Sequence, residues 1–136
     1  MEVGQLADVT HLVYCAYVDS ASWEEQRQPN IELFQNSVEL VLNNCAKLQH
    51  VVLMQGTKAY GAHLGPFKTP AKETDLRIPK GYFYDDQFDI LSAKAADRGW
   101  SWTVFRPHVV IGPAFRSPLN LITVLGVYCS LLKAEG

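Results

Sequence analysis

The stretch His50-Val-Val-Leu-Met-Gln-Gly-Thr-Lys58 decides the fold, because a short apolar run passes directly into a glycine turn that ends on a lysine. A run of this length and composition is typical of a strand buried in a parallel sheet. The run His11–Tyr17 (HLVYCAY) has the same character and suits a strand buried on both faces. Trp100–Phe105 (WSWTVF) predicts a third strand, which breaks at Arg106-Pro107.

A helical pattern separates the first two strands. After Pro29, Asn30 can cap a helix with apolar residues at three-and-four spacing, and this helix is predicted to end near Lys47. A stretch rich in glycine and proline then follows the second strand and reaches about Pro79.

Two further helices are predicted. Three aspartates between Asp85 and Asp89 crowd the first turns of one helix, where carboxylates favour the positive helix end, and Gly99 can terminate it. Ser117-Pro118 opens the other in the order of a cap followed by proline. Its apolar run Leu119–Leu132 predicts a buried helix.

The alternation of strands and helices predicts an α/β fold. We expect a partial Rossmann-like doubly wound parallel sheet, corresponding to the second βαβαβ half of an NAD(P)-binding domain. In that fold a glycine-rich turn follows the first strand, and none precedes the strand that starts near Thr10. Residues 1–136 are therefore expected to form one partial domain without the glycine-rich first βα unit.

Composition narrows the class of protein. A net charge of −2, 48% hydrophobic residues and 19% charged residues are typical of a soluble globular protein and do not favour nucleic-acid binding. The run Leu119–Leu132 falls short of the roughly 20 residues of a membrane span, and without a visible secretory signal the cytoplasm is the expected location. Cys15, Cys45 and Cys129 sit among apolar neighbours and are expected to be reduced, buried thiols.

Ligands of such sheets bind beyond the carboxyl ends of the strands. Three segments should therefore line one edge: Cys15–Tyr17, Gln55–Lys58 and Arg106–His108. The candidate cofactor-binding residues are Cys15, Ala16, Thr57, Arg106, Pro107 and His108. The histidines have no metal-site spacing, so no metal is expected.

Lys58 and Tyr84 are the candidates for chemistry. Lys58 follows a buried strand through a glycine turn, although an ordinary surface lysine would look the same. Tyr84 lies in the cluster Tyr82-Phe83-Tyr84, where core packing is the alternative. If the two converge, the lysine charge would lower the pKa of the phenol and make Tyr84 a better proton donor.

Five segments carry a family resemblance over nearly the whole chain. They are VTHLVYCAY, VVLMQGTKAYGAHLGPFKTP, YFYDDQFDIL, WSWTVFRPHVVIGP and SPLNLITVLGVYCSLLK. In this order they resemble motifs of the progesterone 5β-reductase and iridoid synthase-like (PRISE) short-chain dehydrogenases, most of all microbial members.

The resemblance implies an NADPH-dependent reductase of the activated carbon–carbon double bond of an enone or enal. The family's catalytic lysine, in its TG-x-K-x-Y motif, falls on Lys58, and the first tyrosine of its NFYY motif falls on Tyr84. Hydride would attack the β-carbon, and Tyr84, tuned by Lys58, would donate to the carbonyl oxygen. Phe67 would face the substrate, and Arg106–His108 would pass the nicotinamide.

This sequence departs from the family pattern at two positions and leaves other functions open. Asp85 stands where the family has its second tyrosine, and Phe88 stands at an acidic position. The family's glycine-rich turn and substrate-capping region are expected to lie outside residues 1–136. One alternative is thus a non-catalytic Rossmann-like remnant that self-associates through its exposed half-sheet. Another is a cofactor-sensing regulator that binds nucleotide without turning substrate over.

Overall fold

Three parallel strands alternate with helices in the computed structural model, which describes residues 6–78, 82–96, 98–112 and 120–136. The elements are β1 (His11–Tyr14), α1 (Trp23–Asn44), β2 (His50–Met54), a 3-10 turn (Thr57–Tyr60), α2 (Tyr84–Ala95), β3 (Ser101–Phe105) and α3 (Leu121–Glu135). The sheet order is β1-β2-β3, and Tyr14, Leu53 and Val104 lie side by side in its register. The predicted α/β, partial Rossmann-like class is confirmed.

One face of the sheet carries the core. Val51 and Leu53 of β2 are fully buried, and Phe34 and Val38 of α1 pack against them with Leu91 of α2. Neighbours in a parallel register point to the same side, so alternate residues of all three strands face this helical layer. The β-branched and aliphatic strand β2 is the central one, with β1 on one side and β3 on the other.

The prediction that His11–Tyr17 forms a strand buried on both faces is wrong in length and in burial. β1 ends at Tyr14, because only four of its residues pair with β2. Tyr14 faces the helices and is buried, whereas His11 and Val13 point to the other side and are exposed. Within the described residues, helices α1 and α2 supply the core on one face only.

Helix α1 begins eight residues before the predicted start. Ser22 is its N-cap and accepts a hydrogen bond from the Glu25 N–H at 3.2 Å, so Ser-x-x-Glu is a start signal that the sequence interpretation missed. Pro29 lies inside the helix. Asn30 does not cap it but is fully buried, and its side chain is hydrogen-bonded to both the N–H and the C=O of Val18.

Helix α2 begins at Tyr84, with Asp85 and Asp86 in its first turn as predicted. It ends earlier than the expected Gly99. Its C-cap is Ala96, whose extended backbone (ψ 131°) leaves the helix while its N–H still bonds the Ser92 carbonyl.

The predicted burial of the last helix is wrong, because no residue of α3 is buried. Its apolar side chains are exposed, and Ser117 and Pro118 lie outside the described residues. The three cysteines are free, but only Cys45 is buried, and Cys15 and Cys129 are exposed. None of the described helices has both the length and the apolar composition that a membrane span needs.

Candidate functional site

The three strands end at one edge of the sheet, as predicted. Because β1, β2 and β3 are parallel and in register, the segments that follow Tyr14, Met54 and Phe105 leave the sheet on the same side. The Gln55 N–H bonds the Phe105 carbonyl at 2.8 Å, which extends the pairing of β2 and β3 by one residue. The loops after β2 and β3 are thereby held together.

The Gln55 side chain joins three segments at this edge. It is buried, its Nε2 donates to the Tyr84 carbonyl at 2.7 Å, and its Oε1 accepts from Arg106 Nε at 3.0 Å. The start of α2 is thus tied to the ends of β2 and β3. The sequence interpretation placed Gln55 at the edge but gave it no role, although a polar residue directly after a buried strand is the signal for one.

The Tyr84 hydroxyl lies over the glycine turn. A Cβ on Gly56 would lie 3.8 Å from this hydroxyl and 3.6 Å from the Pro107 carbonyl oxygen. Gly56 has an extended backbone (φ −169°), so the turn does not need glycine for its conformation. The missing side chain leaves room beside the phenol instead.

Lys58 and Tyr84 flank the same aromatic ring. Lys58 Nζ lies 4.9 Å from the centroid of the Tyr82 ring, and the Tyr84 ring meets that ring edge-on with centroids 4.8 Å apart. Trp23 lies against the lysine as well, with Nζ 4.1 Å from the ring centroid. The predicted convergence is therefore mediated by Tyr82, and no hydrogen bond within the described residues joins Lys58 to Tyr84.

Burial sets the electrostatics of both groups. It lowers the pKa of Lys58, and the Asp19 charge partly opposes this. Burial also raises the pKa of Tyr84, with a smaller contribution from Tyr17. This direction is the reverse of the lowered pKa expected from a lysine charge. The Tyr84 phenol is therefore neutral at neutral pH, as an unshifted tyrosine also would be, and can donate a hydrogen bond.

The candidate cofactor-binding residues fall into two groups. Thr57 Oγ1 and His108 Nδ1 lie 3.4 Å apart, next to Pro107, and Arg106 is fixed by Gln55 and by the Tyr60 ring, 5.3 Å from its guanidinium. Cys15 and Ala16 are exposed just beyond the end of β1. The structure thus brings four of the six together at the ends of β2 and β3.

Phe67 does not line the cavity that Lys58 lines. It borders a cavity of about 510 Å³ together with Leu64, Leu76 and Ile78. Lys58 borders a smaller one of about 290 Å³, together with Tyr17, Asp19, Ser20, Ala21, Ser22, Trp23 and Gln26. Contact of Phe67 with a substrate remains a prediction.

The two departures from the family pattern meet in one place. Asp85 and Phe88 line a cavity of about 800 Å³ beside β3, and Arg77 and Arg106 lie over the Phe88 ring. Burial raises the pKa of Asp85, and both arginines oppose this shift. Among the described residues, no cluster of three or more His, Cys, Asp or Glu side chains could hold a metal ion.

Comparison with known families decides the relationship. A family model described as "PRISE-like Rossmann-fold domain" matches residues 1–135. The chain belongs to the PRISE-like family. The resemblance predicted from the five sequence segments is confirmed.

Characterised PRISE-like relatives are longer than this chain. It is 33% identical over 138 residues to "(S)-8-oxocitronellyl enol synthase ISY2" of Nepeta cataria, covering 96% of the chain and 35% of the relative. It is 33% identical over 132 residues to "Short chain dehydrogenase gsfE" of Penicillium aethiopicum, covering 94% and 35%. It is 30% identical over 144 residues to "3-oxo-Delta(4,5)-steroid 5-beta-reductase" of Arabidopsis thaliana, covering 99% and 36%. The chain thus spans about a third of the length of these relatives.

A solved structure supports the fold of this PRISE-like chain. It is similar to a UDP-N-acetylglucosamine 4-epimerase from Methanobrevibacter ruminantium M1, with a TM-score of 0.63 and 18% sequence identity. The similarity covers 88% of this chain and 41% of the epimerase. At this level of identity the match concerns the fold.

Proposed function

We propose that this chain is, or is part of, an NADPH-dependent reductase of the activated carbon–carbon double bond of enones and enals. One observation carries the proposal: Lys58 and Tyr84 flank the Tyr82 ring at the sheet edge where ligands of this fold bind. The substrate class and the catalytic roles are part of the proposal, because the chain spans about a third of its relatives.

The names of the relatives support the substrate class. One describes a reductase of a steroid with a 3-oxo group and a 4,5 double bond, which is an enone. Others describe the synthesis of an enol. An enol is the product expected when negative charge develops on a carbonyl oxygen and that oxygen then takes up a proton. Both chemistries need a donor aimed at a carbonyl oxygen.

Tyr84 has the properties of that donor. NADPH, when bound, would supply a hydride to the β-carbon of the enone. Negative charge then develops on the carbonyl oxygen, and the Tyr84 hydroxyl donates its proton towards it. An ordinary phenol, with a pKa of about 10, is already protonated at neutral pH, and burial raises the pKa of Tyr84 further; the nearby Lys58 ammonium offsets negative charge on either oxygen.

The residues at the edge fit a nicotinamide nucleotide. Thr57 and His108 form a polar pair 3.4 Å apart that would hold its nicotinamide end, near Gly56 and the Tyr84 hydroxyl. Cys15 and Ala16 are exposed at the end of β1 and would contact it along the sheet edge. The small residues at 16 and 56 let a flat ring approach the backbone.

A second candidate is a non-catalytic protein that self-associates. The observation in its favour is α3, whose apolar side chains are exposed along the whole helix. A helix that is apolar all round is normally buried against other chain segments. In this alternative Lys58 and Tyr84 are inherited without function.

One experiment separates the candidates. The purified chain is titrated with NADPH by nicotinamide fluorescence, and progesterone or a small enone is then added at saturation. Binding followed by loss of the reduced nicotinamide supports the reductase. Absence of binding, together with concentration-dependent oligomers by light scattering, supports the self-associating protein.

A further inference from the structure

Lys58 lacks the partners that usually fix a lysine. Among the described residues it donates no hydrogen bond and forms no ion pair within 4 Å; its ammonium lies against two aromatic rings, and the Asp19 carboxylate acts on it from a greater distance. Nζ stands 4.1 Å from the Trp23 ring centroid and 4.9 Å from that of Tyr82. Both distances are within the range of a cation–π contact, and Trp provides the strongest of these.

Trp23 itself is fixed from several sides. It is the first residue of α1, directly after the Ser22 cap. Its ring meets those of His63 and Tyr82 edge-on, at centroid distances of 5.2 and 5.7 Å. Tyr82 is anchored in turn by a 2.6 Å hydrogen bond from its hydroxyl to Gln26 Oε1. The indole is therefore a rigid surface for the lysine.

Core packing does not explain this tryptophan. Its relative exposure is 43%, and it is not a member of the hydrophobic core. Its described partners are the rings of His63 and Tyr82 and the Lys58 ammonium.

We propose that Trp23 is a positioning residue for Lys58: its indole, together with the Tyr82 ring, holds the ammonium by cation–π contact at the ligand-binding edge. An aromatic face attracts the charge without accepting a hydrogen bond from it in the way a carboxylate would. The ammonium keeps its charge and its N–H donors for a ligand. The significance for catalysis rests on the proposed function, but the positioning itself does not.

The test is the NMR chemical shift of methyl groups attached to the Lys58 side chain. Lysines of the full chain are reductively methylated with isotope-labelled formaldehyde, which keeps their charge, and Lys58→Arg assigns the signal of Lys58. We expect this signal to be displaced from those of the other lysines by the ring currents of the aromatic faces. In Trp23→Leu it should move most of the way to the position of an exposed lysine, and in Trp23→Phe it should move only part of the way.

Leu40→Ala is the matched control, since it removes another exposed apolar side chain from α1 and should leave the signal in place. Circular dichroism checks the fold of each variant, and Trp23→Phe serves if Trp23→Leu does not fold. A Lys58 signal at the exposed position in the unchanged chain, or one that Trp23→Leu and Trp23→Phe leave unmoved, would overturn the proposal. No cofactor or substrate is used, so failure of the proposed reductase activity would be a separate result.

Discussion

The side-chain amide of Gln55 donates a 2.7 Å hydrogen bond to the backbone carbonyl of Tyr84. Through this bond the first residue of α2 is held at the end of β2, although the two are 29 positions apart in the sequence. The same amide accepts from Arg106 at the end of β3. The position of the candidate proton donor therefore depends on a residue that carries no chemistry itself.

Replacing Gln55 by leucine should destabilise the chain. The Tyr84 carbonyl loses one of its donors and Arg106 loses an acceptor, and part-buried hydrogen bonds of this kind contribute about 0.5–1.5 kcal/mol each. Urea unfolding followed by circular dichroism measures the change. Gln28→Leu is the control, because Gln28 bonds Glu32 on the exposed face of α1 and its loss should be within about 0.5 kcal/mol. Equal losses in the two variants would contradict the role of Gln55.

Two neighbouring aspartates should respond in opposite ways to replacement by asparagine. The bidentate hydrogen bond from Arg77 lowers the pKa of Asp89, so Asp89 stabilises the fold at neutral pH and this stabilisation is lost as the pH falls. Asp89→Asn should cost about 0.5 kcal/mol, as exposed pairs do.

For Asp85 the sign is reversed. Burial raises its pKa in the folded chain, so its ionised form disfavours folding at neutral pH. Asp85→Asn should leave the free energy of unfolding unchanged or increase it. Thermal unfolding of both variants at neutral pH gives the comparison, and a larger loss for Asp85→Asn than for Asp89→Asn would show that this carboxylate is stabilising.

Raising the pH should unfold the chain, and the buried tyrosines should ionise only as it unfolds. Burial raises the pKa of Tyr14, Tyr82 and Tyr84, so the unfolded chain releases these protons first. Their contribution to stability is complete below the unfolded pKa of about 10 and is lost as the pH rises above it. Tyrosinate absorbance should therefore show a late phase that coincides with loss of the circular dichroism signal. Ionisation of all six tyrosines before any unfolding would contradict this.

Two glycines at the edge should tolerate alanine differently. Gly61 has φ +87° and caps the 3-10 turn that carries Lys58, so Gly61→Ala should cost about 1 kcal/mol. Gly56 is extended, and a Cβ there makes only ordinary contacts, so Gly56→Ala should change the free energy of unfolding by less than about 0.5 kcal/mol. Denaturant unfolding of the two variants tests the difference. The reverse order would mean that the turn depends on Gly56 for its conformation.

The strands could be predicted because their signal is local. His50–Met54 is a strand with the predicted bounds, and its membership of a parallel sheet followed from the alternation of strands and helices. The prediction that the segments after the three strands lie at one edge of the sheet followed from the same parallel arrangement. Burial of β1 and α3 was overestimated, because apolar composition does not say whether a covering layer is present in the same chain.

The contacts inside the site could not be predicted from the sequence, because they join residues that lie far apart in the chain. Tyr82 lies between Lys58 and Tyr84, and Trp23 reaches Lys58 from a helix start that was predicted eight residues too late. The pKa of Tyr84 was expected to fall with a lysine nearby, but burial raises it. Desolvation depends on the packing of distant segments, so it could not be read from spacing.

The central claim is that Tyr84 donates to a carbonyl oxygen with Lys58 beside it. The most direct measurement is the rate of NADPH oxidation by the chain with a small enone, compared among Tyr84→Phe, Lys58→Met and two controls on the exposed helix α3, Tyr128→Phe and Lys133→Met. We predict that Tyr84→Phe lowers kcat/KM about a hundredfold or more, that Lys58→Met lowers it as well, and that both controls keep the original rate. An NADPH oxidation rate that is the same in all four variants would contradict the account.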